Sequence, residues 1–518
     1  LPVLVTPVAR KGYQLPLGQM SKPANAFYLY LLISKPAKRY FMKKLVVLLP
    51  VVWFSVILAF AQSDQRPNIL WIIAEDMSQD QACYGNSLVQ TPTIDRLARE
   101  GMRFTHMFTA AGVCSPSRTA LATGMHQNSI GAMHMRYTDE LKPPLPHGVR
   151  TVAHILRDHG YQTFGNGKDD YMFRLDKPSF DIKDLDDLDK NKPFFAKVNS
   201  FYTHRIFKKD TLHPIDPAKV ELPPYYPDVQ PLREDWALYL ENIQLLDREV
   251  AGILQEFEQR GLLKNTIIFF LSDHGRPTLK GKYWMYDSGT RIPFIIHLPE
   301  GMEAPKGFEP GTVSDQLLSS IDISATTLAL AGVEKPDYMQ GKVFLGKQIE
   351  PEREYIYGSM DRIGGVHFKT RAVRSKKYRY IRNFNNGLSI LECSTEYRKA
   401  RLPYYNTILI LDNYNKLQGP ETTLVTPLPL EELYDLEKDP FETDNLAYKK
   451  EYQTIRREME AVLMYWIERI DDMGFHPDSP AVQEHFIQYR TNNQEMYREE
   501  RLKSYLEIER QLRKEGKI

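Results

Sequence analysis

Cys114 and Arg118 lie one helical turn apart in the stretch Val113-Cys114-Ser115-Pro116-Ser117-Arg118-Thr119-Ala120-Leu121-Ala122-Thr123-Gly124. Pro116 suits the first turn of a helix, where its missing N–H costs nothing. Thr119 to Ala122 continue that helix and Gly124 ends it. Cys114 is therefore expected at a helix N-terminus, where free N–H groups and the macrodipole favour an anion. Arg118 adds a cation on the same face. A lone cysteine is most often a small buried hydrophobe, so a chemical role for Cys114 depends on the groups that the rest of the chain brings to it.

Those groups follow apolar runs. Asn68-Ile69-Leu70-Trp71-Ile72-Ile73-Ala74 reads as a strand buried on both faces and ends in Glu75-Asp76. Two adjacent carboxylates at a strand end are costly unless something positive sits between them, and a hard cation with oxygen ligands would serve. Thr91-Pro92 starts a helix through Leu97 to Gly101, and Thr151 to His159 form another, stopped by Gly160. The strand Tyr161 to Phe164 then delivers Lys168, Asp169 and Asp170, and the strand Pro193 to Asn199 leads to Thr203-His204-Arg205. An amphipathic helix from Glu234 to Phe257, closed by Gly261, precedes the strand Thr266 to Leu271, which ends in Ser272-Asp273-His274-Gly275. Alternating strands and helices predict an α/β domain with a largely parallel sheet. Such sheets bind ligands beyond the C-terminal ends of their strands, and every polar group above falls at that edge.

Cys-x-Pro-Ser-Arg followed by Thr123-Gly124 resembles the signature of the type I sulfatases, and the likeness runs from Pro67 to about Ile470. Within that family it is similar to heparan N-sulfatase-like exported bacterial enzymes. Leu433-Tyr434-Asp435-Leu436-Glu437-Lys438-Asp439-Pro440 with Glu442 and Asn445-Leu446 resembles the family's C-terminal stretch. The resemblance implies an α/β fold: an alkaline-phosphatase-like domain with a large, mainly parallel sheet between helices, plus a smaller C-terminal α+β subdomain. It also implies that a maturation enzyme oxidises Cys114 to formylglycine, and that Glu75, Asp76, Asp273, His274 and the modified Cys114 hold Ca²⁺. By the same likeness Arg118 and Lys168 hold the formylglycine hydrate, Lys282 grips the sulfate and His204 protonates the leaving group. Glu75 stands where aspartate is usual, His274 where asparagine is frequent, and Asp170 in the place of a histidine, which makes Asp170 the candidate base for sulfate release. The resemblance implies that one hydroxyl of the hydrate attacks sulfur and that the second then expels sulfate. His134, Arg136 and Arg205 are candidates for binding an acidic or sulfated sugar beyond the reacting group.

The whole chain sets bounds on these readings. With 518 residues, 42% hydrophobic and 26% charged, it is an ordinary globular protein long enough for two domains. A net charge of +1 argues against a polyanion binder, nucleic-acid binders included, working by bulk charge, so anion recognition must be local. Three cysteines give neither a disulfide framework nor a Cys-x-x-Cys metal pair. Residues 1–41 read as an over-long translated start. Residues 42–61, with Met42-Lys43-Lys44, an apolar middle and Ala59-Phe60-Ala61, read as a signal peptide rather than an anchor, since Pro50 interrupts a run too short to span a bilayer. A periplasmic or secreted protein with no stable membrane span is expected. Residues 62–365 are assigned to the catalytic domain and 366–518 to the subdomain with its charged helical tail, and no internal repeat occurs at solenoid spacing. Two other functions fit the same residues: a phosphonate or phosphate monoester hydrolase, and an inactive glycan-binding protein in which Cys114 stays unmodified.

Overall fold

A computed structural model describes residues 66–518, Asn386 excepted. The segments read as an over-long start and a signal peptide lie outside the described residues. Strands in chain order are β1 (Asn68–Ala74), β2 (Met102–Phe104), β3 (Met107–Phe108), β4 (Gln162–Asn166), β5 (Phe194–Ser200), β6 (Thr266–Ser272) and β7 (Phe294–His297). They continue as β8 (Thr312–Ser314), β9 (Leu318–Ser319), β10 (Ile356–Ile363), β11 (Val366–Arg374), β12 (Tyr378–Asn383) and β13 (Glu431–Asp435). The helices begin with α1 (Pro92–Glu100), α2 (Cys114–Thr123), α3 (Val152–Asp158), α4 (Gln230–Gln259), α5 (Asp287–Thr290) and α6 (Ser320–Leu330). They end with α7 (Glu396–Arg401), α8 (Pro403–Asn413), α9 (Gln453–Arg469), α10 (Pro480–Met496) and α11 (Arg498–Lys514).

Among the described residues the main sheet has seven strands in the order β4-β5-β1-β6-β7-β2-β8. β1 lies at its centre, parallel to both neighbours, with Leu70 opposite Ala196 of β5 and Ile268 of β6. Only β7 runs against the rest, antiparallel to β6 and to β2. The expected sheet, mainly parallel and covered by helices, is therefore present. Alternation along β1 shows why it must be central. Leu70, Ile72 and Ala74 join a core with Tyr239, Ile243, Val250 and Phe257 of α4. Ile69, Trp71 and Ile73 join a core on the other face with Leu156 of α3 and Ile323 and Leu328 of α6.

A second, antiparallel sheet runs β10-β11-β12-β13. Its Val373, Tyr380 and Leu433 pack against Met459, Leu463 and Trp466 of α9, completing the smaller α+β unit. The sequence reading has no counterpart to β10, because Gly358 and Ser359 sit in the middle of it and weaken the strand signal. The charged tail forms α10 and α11 as expected, but it does not stand free. Phe486, Ile508 and Leu512 are buried, and α11 packs on α7 and α8. Helix α10 crosses the Gly364-Gly365 turn between β10 and β11. A Cβ at Gly365 would lie 2.4 Å from the Arg490 Cβ, and Gly364 has φ 53 with Tyr489 beside it. Only glycine permits that approach. No helix among the described residues is long and apolar enough to cross a membrane.

Candidate active site

The C-terminal edge of the main sheet gathers the polar groups that the sequence places there. Helix α2 opens at Cys114 itself, with Val113 extended as its N-cap, and it closes at Gly124, which has φ 64 and donates to the Ala120 carbonyl. All ten residues of α2 are buried. The Cys114 Sγ lies 3.2 Å from Lys282 Nζ, 3.2 Å from His274 Nε2 and 3.9 Å from Asp76 Oδ1.

Arg118 reaches back along the helix into the strand ends. Its Nε donates to Asp273 Oδ2 at 3.0 Å, Nη2 to Glu75 Oε1 at 3.0 Å and Nη1 to Asn199 Oδ1 at 2.6 Å. Lys168 adds a second cation, 3.2 Å from Glu75 Oε1 and 3.0 Å from Asp170 Oδ2. Lys282 donates to both Asp76 oxygens at 2.8 Å. Burial alone would raise the Asp76 carboxyl, yet the Lys282 ammonium and the His204 and His274 imidazoles hold it well below the usual range. His274 moves the other way: burial disfavours its charged form, but Asp273 and Asp76 outweigh that and raise it well above an ordinary histidine. An imidazolium is thus stabilised where the carboxylates converge, which is where a bound cation would be favoured.

The donor set fits a metal ion. Asp76, Cys114, Asp273 and His274 each offer a ligand atom, and these atoms lie within 4.8 Å of one another. Two of the donors are hard carboxylate oxygens of the type that calcium prefers, and the imidazole is the poorer ligand for that ion. Glu75 departs from the expected set. It converges with Asp76 and His204 rather than with Cys114, Asp273 and His274, and Arg118 and Lys168 already engage it.

Loop geometry places Lys282. Tyr283 has φ 88, and its N–H donates to the Gly112 carbonyl at 2.6 Å. Left-handed backbone at a tyrosine costs about 1–3 kcal/mol and persists only where the surroundings hold it. Here a Cβ on Gly112 would meet the Trp284 carbonyl at 2.6 Å, so the Lys282 loop and the Cys114 loop are pressed together. The smaller unit grips the same loop: Arg398 Nη2 donates to the Thr278 and Leu279 carbonyls, and Lys280 Nζ to those of Phe441 and Glu442. Asp76 and Asp170 also have positive φ, 52 and 54.

The cavity in front of these residues has a volume of about 1130 Å³ and is bordered by Asp76, Lys282, His204 and Arg136. His204 Nδ1 lies 2.7 Å from the Arg205 carbonyl, which can only accept, so Nδ1 carries a proton and Nε2 points the other way, 4.0 Å from Glu75 Oε2. Asp170 stands beside Lys168 and 3.8 Å from Arg136. Burial pushes its carboxyl up, but the two cations hold it below the usual aspartate range.

Two candidates for sugar binding are placed differently from the sequence reading. His134 does not border the cavity; it is buried, with Nε2 2.7 Å from Asp478 Oδ1. Arg205 lies in the wall, but its guanidinium is committed to Asp235 at 2.6 and 2.5 Å and to the Pro277 carbonyl. Arg205→Ala is accordingly expected to act on stability, because it strands the buried Asp235 carboxylate. Breaking one side of such a pair costs about 3–5 kcal/mol, to be read from the denaturant midpoint. An unchanged midpoint would show the pair to be idle.

Sequence reasoning missed Asn199, the partner of Arg118, although it ends a strand at the polar edge. It also gave no role to the helices that supply Tyr397, Arg398, Tyr489 and Arg490 to the cavity wall.

Comparison with known proteins bears on the same residues. Residues 67–333 match the family model described as sulfatase, and residues 275–392 the one described as N-sulphoglucosamine sulphohydrolase, C-terminal. An ulvan-active sulfatase of Formosa agariphila is 34% identical over 470 residues, spanning 81% of this chain and 77% of its own. Human N-sulphoglucosamine sulphohydrolase is 25% identical, spanning 80% of this chain and 92% of its own. A protein solved with its substrate D-glucosamine-2-N,6-O-disulfate shares the fold at TM-score 0.59 and 19% identity, over 80% of this chain and 100% of its own. The phosphonate monoester hydrolase of Agrobacterium radiobacter shares it at 0.56 and 18%, over 78% of this chain and 96% of its own.

Proposed function

Since the chain belongs to the sulfatase family, we propose that it releases sulfate from a sulfated saccharide, with Cys114 converted to formylglycine and Ca²⁺ as its metal. The observation that carries this reading is the setting of the Cys114 Sγ. It lies at the start of a buried helix, 3.2 Å from Lys282 Nζ and beside Asp76, Asp273 and His274. Formylglycine supplies, as its hydrate, one hydroxyl to attack sulfur and a second through which sulfate is released. Asp76, Asp273, His274 and residue 114 would hold the calcium, which would supply positive charge that makes a nearby hydroxyl more acidic.

The chain's own residues do the remainder. Lys282 Nζ, anchored on Asp76, stands within reach of the sulfuryl oxygens and offsets the charge that grows on them. Arg118 and Lys168 neutralise Glu75 and fix the strand ends, so the charges are in place before reaction. His204 holds its ring by Nδ1 on the Arg205 carbonyl and passes a proton from Nε2 to the leaving oxygen or nitrogen. Asp170, ionised beside Lys168, is the base assigned to sulfate release. Asp170→Asn is therefore expected to give a burst of leaving group and then turnover slowed about a hundredfold, read by rapid-mixing kinetics. Steady turnover with only a raised KM would make Asp170 a residue that orients Lys168.

The export-type segment at 42–61 supports action in the periplasm or after secretion, and formylglycine calls for a dedicated maturation enzyme. The cluster serves N- and O-sulfates alike. Parallel turnover of an aryl sulfate and an aryl phosphate tests the reading: preference for the sulfate supports it, and preference for the phosphate replaces it with phosphomonoester hydrolysis.

A further inference from the structure

Seven Lys and Arg side chains but only three carboxylates border the cavity, in a chain whose net charge is +1. Most of these cations are already paired. Lys282 engages Asp76, Lys399 engages Glu396, Arg205 engages Asp235, Arg362 engages Asp478, and Arg136 lies 3.8 Å from Asp170. The remaining acid, Glu392, accepts from Ser389. Two guanidinium groups are left with no carboxylate at ion-pair distance among the described residues: Arg398 of α7 and Arg490 of α10.

They differ in instructive ways. Arg398 is 2% exposed. It packs over the Tyr283 ring at 4.6 Å and donates through Nη2 to the Thr278 and Leu279 carbonyls, but its Nη1 has no hydrogen-bond partner. Burial lowers its affinity for a proton below that of an ordinary arginine, and the opposing pull of Tyr283, Tyr226 and Asp76 does not restore it. A buried cation without a counter-ion is costly unless an anion joins it. Arg490 is exposed, and α10 is brought against the cavity wall by the Gly364-Gly365 turn. Both residues lie beyond 333 and 392, where the two matching family models end.

We propose that Arg398 and Arg490 form a subsite for a second anionic group on the saccharide. The enzyme then selects substrates that carry a carboxylate or a further sulfate beside the sulfate it removes. The proposal rests on the sulfatase reading for its turnover test and is independent of it for binding. Fork-shaped guanidinium groups suit either anion, since both present two oxygens to paired N–H donors.

The test compares sulfated disaccharides that bear a uronate carboxylate, a second sulfate, or, after carboxyl reduction, a neutral remainder. The expected wild-type preference in kcat/KM for an anionic remainder over the neutral one is about tenfold or more, and the two anionic substrates identify which group is read. Arg490→Gln changes an exposed residue and should cut that preference about tenfold. Arg398→Lys keeps the charge while removing the fork, so it reports on the buried site in a folded protein. Wild-type rates equal on anionic and neutral substrates, or a preference that survives both changes, overturn the proposal. Calorimetric titration with an unsulfated uronate disaccharide adds a readout free of turnover. Binding that Arg490→Gln weakens, in a protein that releases no sulfate from any substrate, upholds the subsite and removes the sulfatase reading instead.

Discussion

Cys114→Ser is expected to abolish sulfate release, by about four orders of magnitude or more, equivalent to about 5 kcal/mol of barrier. The reason is the number of oxygens at residue 114. A serine oxygen could accept the sulfuryl group once, but it leaves an ester with no second hydroxyl to expel sulfate. Mass spectrometry of the peptide that contains Cys114 should find an aldehyde in place of the thiol in active protein. Full activity from a chain carrying only the thiol would overturn the mechanism, and a thiol with no activity would leave a glycan-binding protein. Substituting this position should disturb the fold little, because Cys114 is the first residue of α2 and the helix is held from behind. Ser117 donates to the Asp273 carbonyl at 2.5 Å, and Arg118 bonds three strand ends.

Chelation should remove activity as completely, and calcium should restore it. Asp76 and Asp273 come from neighbouring strands, β1 and β6, and the Asp76 N–H donates to Asp273 Oδ1 at 3.0 Å, so each orients the other. Asp76→Ala and Asp273→Ala are each expected to cost about a thousandfold in kcat/KM, or about 4 kcal/mol. His274→Ala should cost less, since imidazole nitrogen is the weaker calcium ligand. Calorimetry should show calcium binding to the wild type and none to Asp76→Ala. An ion held by the folded chain alone raises the Tm as its concentration increases, so calcium is expected to do so here. Rescue by zinc but not calcium would favour the phosphomonoester reading.

The parts legible in sequence share one property: they sit where a local rule fixes direction. Glu75-Asp76 and Asp273-His274 end apolar runs, and a parallel sheet sends all such ends to one edge. Cys114 was readable from Pro116 and Gly124, which bracket its helix. His134 and Arg205 show where that legibility stops. Each lies close in sequence to site residues, but Asp478 and Asp235 engage them, and those partners are 344 and 30 positions away. Nothing local announces such a pairing. Arg398 is the converse case, a residue in a charged stretch that becomes a buried, unpaired cation only through packing over Tyr283. Glu75 stays beside Asp76 but turns to Arg118, Lys168 and His204 rather than to Asp273 and His274, because adjacency in sequence does not set which way a longer side chain turns.

Helix α10 over the Gly364-Gly365 turn carries a consequence for biosynthesis. Helix α2 with Cys114 and the strands that precede Asp76, Lys168, His204 and Asp273 are all translated before residue 273, whereas α10 leaves the ribosome some two hundred residues later. Chains fold as they emerge, from the N-terminal side first. The nascent chain therefore carries these groups well before it has the wall that α10 lends to the cavity, and the two can vary at different rates. A lineage could alter α10 and the two glycines beneath it without touching the strand ends.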